Sequence, residues 1–293
     1  MTKKILDQEK SFEGTLDRIH IPENPPNLVL IAGPCRSGTT ALGNVFAHAG
    51  YITYMQPIKS IRRAIEEGTD VPEFNVEEGQ KTIVSKETYG AKTESEYFDP
   101  VNILIKAGYP KERIHLIAMM REPASTLTSW SWMWDEVLIE GFIRSYNQTD
   151  AVLKNARSLG ISTTSYVHEV IRDNSSVLVI EKLFNRIFGN TEIVNNLADW
   201  SKGPNFENDK KVKFFDEPPE RFVHAVKTWG GYEYRALKSE LTLEQIVKLK
   251  NDGIFKIYND FLQSCKSDLG VDIQKNADET NFGFEFETKD TAI

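Results

Sequence analysis

Leu28-Val-Leu-Ile-Ala-Gly-Pro-Cys-Arg-Ser-Gly-Thr-Thr-Ala-Leu42 decides how this chain reads. Its first five residues form an unbroken apolar run of strand length, which fits a strand covered on both faces. Gly33-Pro34 ends the run, and Thr39 to His48 then reads as a helix stopped by Gly50. Between strand and helix lies Gly33-x-x-x-x-Gly38-Thr39-Thr40. Glycines let such a loop turn its N–H groups inward. The start of the following helix adds unpaired donors and a partial positive charge. The segment reads as a cradle for a phosphate-like anion.

The letters also exclude the commonest versions of that cradle. A P-loop nucleotide hydrolase carries Lys directly after the second Gly, where it reaches the β- and γ-phosphates. Here Thr39 holds that position and the cation lies inside the loop, at Arg36. The loop suits one 5′-phosphate and whatever that phosphate carries. A dinucleotide fingerprint needs Gly at position 35, which is Cys. A Cys-x5-Arg phosphatase loop needs Arg at position 41, which is Ala. Cys35 has no partner motif that makes it a nucleophile, so it reads as small-residue packing.

Composition sets the wider frame. The 293 residues are 40% hydrophobic and 27% charged, which excludes wholesale disorder and fibrous structure. Lys+Arg of 35 against Asp+Glu of 43 gives a net charge of −8, with a pI near 5.3. That balance argues against general nucleic-acid or anionic-membrane binding. An anion site must be built locally against it. Two cysteines, Cys35 and Cys265, form neither a disulfide framework nor a zinc spacing. The N-terminus lacks a signal-type apolar core, and no apolar stretch reaches about 18 residues. The expectation is a cytoplasmic protein without membrane insertion.

Strands are expected at 28–32, 51–54, 82–85, 114–120 and 177–180, and helices over 39–48, 59–67, 123–146, 149–159 and 163–172. This alternation argues for one α/β domain with a parallel, doubly wound sheet of four or five strands. Thr242 to Cys265 has helical spacing interrupted by Gly253, so the C-terminal portion is expected to be helical. Residues 1–26 read as a polar arm, 27–275 as the domain, and 276–293, with five acids and one lysine, as a mobile tail.

Gly33-Pro34-Cys35-Arg36-Ser37-Gly38-Thr39-Thr40 resembles the 5′-phosphosulfate loop of the PAPS-dependent sulfotransferases, usually Pro-Lys/Arg-Ser-Gly-Thr-Thr/Ser. Cys35 is one extra residue, as in many bacterial members. The family's donor is 3′-phosphoadenosine 5′-phosphosulfate (PAPS), which leaves as PAP. The resemblance implies a three-layer, P-loop-like fold and donor contacts from all eight loop residues. It implies in-line sulfuryl transfer to a hydroxyl, or less often an amine, with no metal required. Met120-Arg121-Glu122-Pro123, followed by Ser129, resembles the family's 3′-phosphate site, where Arg can fork onto phosphate oxygens. Val177 to Leu183 is similar to the family's strand ending in Tyr-Glu-Asp-Leu. The family's C-terminal Arg-Lys-Gly-x-x-Gly-Asp-Trp-Lys is reduced here to Lys227-Thr-Trp229-Gly-Gly231-Tyr-Glu-Tyr-Arg235. Lys227 or Arg235 is the expected cover of the nucleotide.

None of the five histidines follows an early strand as the family's catalytic His does. Gln56-Pro57 resembles a Glu-Pro of some bacterial members, but Gln cannot accept a proton. The expectation therefore falls on Lys86-Glu87, after the third strand: Glu87 as general base and Lys86 stabilising the sulfuryl oxygens. On that assignment Glu87→Gln removes turnover and spares donor binding. Trp130, Trp132 and Trp134 read first as core, and on a functional reading as walls of an acceptor pocket. The acceptor itself, a small molecule or carbohydrate, is not written in the sequence. Two other readings stay open: a P-loop nucleotide or nucleoside kinase, which needs ATP and Mg²⁺, and a non-catalytic PAP-binding protein.

Overall fold

The computed structural model describes residues 12–90, 93–134, 139–189, 197–200, 211–215, 230–237 and 240–274. Its centre is a sheet of six strands: β2 (Asn27–Pro34), β3 (Ile52–Met55), β5 (Thr82–Tyr89), β6 (Ile114–Met120), β7 (Ser162–Val167) and β8 (Val212–Phe214). All run parallel, in the order β7-β6-β2-β5-β3-β8. A separate two-residue pair joins β1 (Ile19–His20) to β4 (Phe74–Asn75). The central strand β2 buries every residue from Leu28 to Pro34, and β6 buries all seven of its own. That is the pattern of strands with helices on both faces.

The helices that frame the sheet are α1 (Thr39–His48), α2 (Pro57–Glu67), α3 (Pro100–Lys106), α4 (Pro123–Ser131), α5 (Ile139–Ser158), α6 (Val170–Asp173), α7 (Ser176–Phe188), α8 (Leu243–Asn251) and α9 (Ile254–Leu269). Side-chain alternation along β7 separates the two covering layers. Arg157 of α5 donates to Thr163 Oγ1 and Ser165 Oγ, whereas Arg186 of α7 donates to Thr164 Oγ1 between them. α5 covers β2, β6 and β7 on one side. On the other, Phe46 of α1 and Phe184 of α7 stack with centroids 4.9 Å apart. The result is a three-layer α/β arrangement, with α9 packed along β7. As expected, the C-terminal helical stretch breaks at Gly253, which has φ 73°.

Five expectations need correction. The sheet has six strands rather than four or five, because Val212–Phe214 adds an edge beside β3. Residues 177–180 are helical, within α7. Ser175 Oγ accepts from the Leu178 N–H at its start, and Val179, Ile180, Leu183 and Phe184 form its buried stripe. Val177 and Leu178, which made the run look like a strand, are exposed. The likeness to a Tyr-Glu-Asp-Leu strand end therefore falls. The strand lies earlier, at Ser162–Val167, inside a stretch expected to be helical; its Thr-Thr-Ser-Tyr-Val content favours a pleated surface. The helix expected over 123–146 is two helices, and α5 runs on to Ser158. Part of the expected arm also contributes structure: Ile19 is buried in β1. The 276–293 tail lies outside the described residues.

Phe46 is fully buried between layers. Phe46→Ala is expected to cost about 3–5 kcal/mol in chemical denaturation. A loss below about 1 kcal/mol would contradict this packing.

Candidate functional site

A parallel sheet delivers the carboxyl ends of all its strands to one edge, where open α/β sheets bind ligands. The residues just past those ends are Cys35 and Arg36 after β2, Gln56 after β3, Gly90 after β5, Arg121 after β6 and His168 after β7. Among the described residues, Arg36 (φ 67°) and Gln56 (φ 62°) are the non-glycine positions with left-handed backbone. Such backbone costs about 1–2 kcal/mol per residue and concentrates at functional sites.

The β2 loop is fixed from several sides. A Cβ on Gly33 would collide with the main-chain carbonyl of Met119 in β6, so the loop starts with backbone against backbone. Gly38 has φ 95°, and a Cβ there would lie 2.9 Å from His168 Nδ1. Ser37 Oγ donates to the Pro34 carbonyl at 2.8 Å and closes the turn. The Cys35 N–H donates to the Tyr89 carbonyl at 3.1 Å, and its Sγ donates to the Gly90 carbonyl at 2.9 Å. Trp130 Nε1 donates to the Cys35 carbonyl at 2.7 Å. Thr39 is buried, Thr40 is half-buried, and α1 begins with no side-chain cap on its first amides. Those N–H groups are the donors an anion would use.

The two motifs meet. Arg36 Nε donates to Ser129 Oγ at 3.0 Å, across 93 positions of sequence. Arg121 is buried; its Nη2 donates to the Arg235 carbonyl at 3.2 Å, and its Nε has no hydrogen-bond partner. His168 Nδ1, also buried, has none either. Burial, and then Arg121, push His168 down to about 3, so its imidazole is neutral at ordinary pH. Burial likewise lowers Arg36 from its ordinary value. Tyr234 lies tilted against His168, with centroids 5.6 Å apart. Arg235 thus approaches the site through its backbone carbonyl. Lys227 lies outside the described residues.

Glu87 is placed differently from what a general base needs. It is fully buried; its Oε1 accepts from the Ile58 N–H at 2.8 Å and its Oε2 from the Lys59 N–H at 3.1 Å. It therefore caps α2, with its carboxyl group engaged inside the fold. Burial raises it to about 8, against the pull of those amides and of Lys86 and Lys59. Lys86, also buried, alternates to the opposite face of β5 together with Thr88. Thr88 Oγ1 donates to Gln56 Oε1 and lies 3.3 Å from Cys35 Sγ, so that face adjoins the loop.

Sequence reasoning missed two residues here. Lys59 Nζ donates to the Gly90 carbonyl at 2.6 Å, lies 3.5 Å from Cys35 Sγ, and pairs with buried Glu96 at 3.3 Å. His168 would have been visible as the residue after β7, had Ser162–Val167 been read as a strand. Of the tryptophans, Trp130 is core, Trp134 packs edge-on against it, and Trp132 is exposed.

Among the described residues, no group of three or more His, Cys, Asp or Glu side chains could hold a metal ion, and no helix is long and apolar enough to cross a membrane. Models of known protein families, curated proteins and solved structures gave no match to this chain.

The Glu87 position makes a signed prediction. A carboxyl raised to about 8 when folded, against about 4.3 when unfolded, favours the folded state while protonated. That contribution is full below the unfolded value and is lost as pH rises to 8. Glu87→Gln should therefore flatten the fall in melting temperature between about pH 5 and pH 8.5. Superimposable pH profiles for the two proteins would contradict the buried cap.

Proposed function

We propose that this chain transfers a sulfuryl group from PAPS to an acceptor hydroxyl or amine. The observation that carries the reading is the Arg36–Ser129 hydrogen bond, which ties the anion loop to α4, the helix that follows the buried cation Arg121. A kinase has no need of that second anchor. The residues fit a doubly anionic nucleotide in three further ways: the uncapped start of α1, the unpartnered Arg121 Nε, and the unpartnered His168 Nδ1 beside Gly38. With the anion loop on the central strand, the fold reads as P-loop-like.

PAPS would supply the activated sulfuryl group. The residues of this chain hold and orient. Gly33, Pro34, Cys35, Ser37, Gly38, Thr39 and Thr40 form the loop around the 5′ end, with the amides of α1 as donors. Arg36 stabilises charge on the transferring oxygens, and Lys86, on the β5 face beside the loop, adds a second positive charge. Arg121 and Ser129 take the 3′-phosphate, with Arg235 alongside. Glu87 acts through α2, as the cap that carries Lys59 to the loop, rather than as proton acceptor. The two free, buried cysteines agree with a reducing, cytoplasmic setting.

The test is release of PAP from PAPS in the presence of hydroxyl and amine acceptors, followed by chromatography. Acceptor-dependent release is expected, and Arg36→Met should lower it on the order of a hundredfold, as loss of one charge-stabilising donor does elsewhere. Release that is unaffected by Arg36→Met would contradict the assignment. Tight PAP binding without transfer to any acceptor would reduce the protein to a binding module.

A further inference from the structure

One peptide unit next to the loop is held in an unusual way. The β6–β7 ladder ends where the His168 N–H donates to the Met120 carbonyl at 2.9 Å. The next peptide, Arg121–Glu122, has lost its strand partner and is buried, so both of its polar groups need one. Each receives a buried side chain from a different element. Tyr146 of α5 donates its hydroxyl to the Arg121 carbonyl at 2.6 Å. Glu169, just before α6, accepts the Glu122 N–H on Oε1 at 3.1 Å. The remaining Glu169 oxygen accepts the Tyr258 hydroxyl, from the C-terminal helix α9, at 2.9 Å. Tyr146, Glu169 and Tyr258 are each at most 1% exposed.

We propose that Tyr146 and Glu169 clamp the Arg121–Glu122 peptide plane and so aim the Arg121 side chain at a phosphate, with Tyr258 of α9 locking the clamp. This rests on the reading of Arg121 as the 3′-phosphate anchor. The geometry favours a positioning role over simple hydrogen-bond satisfaction: one peptide unit is held at both its polar groups by buried side chains from different elements. Burial raises the Glu169 carboxyl above its ordinary value, and Arg121 lies close enough to pull it back. The same peptide opens α4, because the Glu122 carboxylate accepts the Ala124 and Ser125 N–H groups at 2.9 and 2.6 Å. The clamp therefore sets Ser129 as well as Arg121. It makes the C-terminal helix part of the anion site through Tyr258.

The experiment compares PAP with AMP, which lacks the 3′-phosphate, on the full chain and on Tyr146→Phe, Tyr258→Phe and Glu169→Gln. Each variant should weaken PAP binding about tenfold and AMP binding less than about twofold. Because Tyr258 acts through Glu169, the double variant Tyr258→Phe/Glu169→Gln should be no weaker than the worse single one. A purely structural role lowers the melting temperature with the PAP-to-AMP ratio unchanged, and that result overturns the proposal. If the wild-type chain binds neither nucleotide, the donor reading falls first. The clamp is then decided by hydrogen exchange over residues 120–125. Faster exchange there in Tyr258→Phe supports it, and unchanged exchange overturns it.

Discussion

The carboxyl edge of the sheet depends on how closely β2 and β6 approach at their ends, where Gly33 lies against the Met119 carbonyl. No side chain fits between them, so the loop leaves β2 flush with its neighbour. It turns directly over the last residues of β6 and β7, which is why Gly38 comes to lie against His168. The same closeness lets Arg36 reach Ser129 on the helix after β6.

Charge explains why the edge needs so many compensating partners. A chain of net charge −8 gathers Arg36, Lys59, Lys86 and Arg121 at or beside one edge. Burying such cations is expensive unless partners compensate. Glu96 pairs with Lys59, and the Gly90 and Arg235 carbonyls take Lys59 and Arg121. Among the buried polar atoms of the described residues that have no partner, Arg121 Nε and His168 Nδ1 lie beside the loop. That residue of unmet polarity is what an anionic ligand would answer.

The parts of this site that were legible in sequence are those dictated by local chemistry. The apolar run 28–32 and the glycines at 33 and 38 fix a strand–loop–helix turn whatever surrounds it. Arg121 was legible because Ile114–Met120 is an unambiguous buried strand. What was not legible depends on pairing between distant segments. Val177–Ile180 looks like a strand until Ser175 caps it and the buried stripe at 179, 180, 183 and 184 appears. That misreading hid β7, and with it His168 and Glu169. Glu87 shows a different limit. A Lys-Glu pair at a strand's carboxyl end has two faces, and sequence does not say which residue meets the crevice. Here the amides of α2 take Glu87, and the loop side goes to Lys86 and Thr88.

The central claim is a site for a nucleotide phosphorylated at both 5′ and 3′ positions. Calorimetric titration with PAP in metal-free buffer containing a chelator tests it most directly. The account predicts one site that saturates without Mg²⁺ and weakens with added salt, as contacts between charges do. Binding of ATP only in the presence of Mg²⁺, with no heat from PAP, would contradict it.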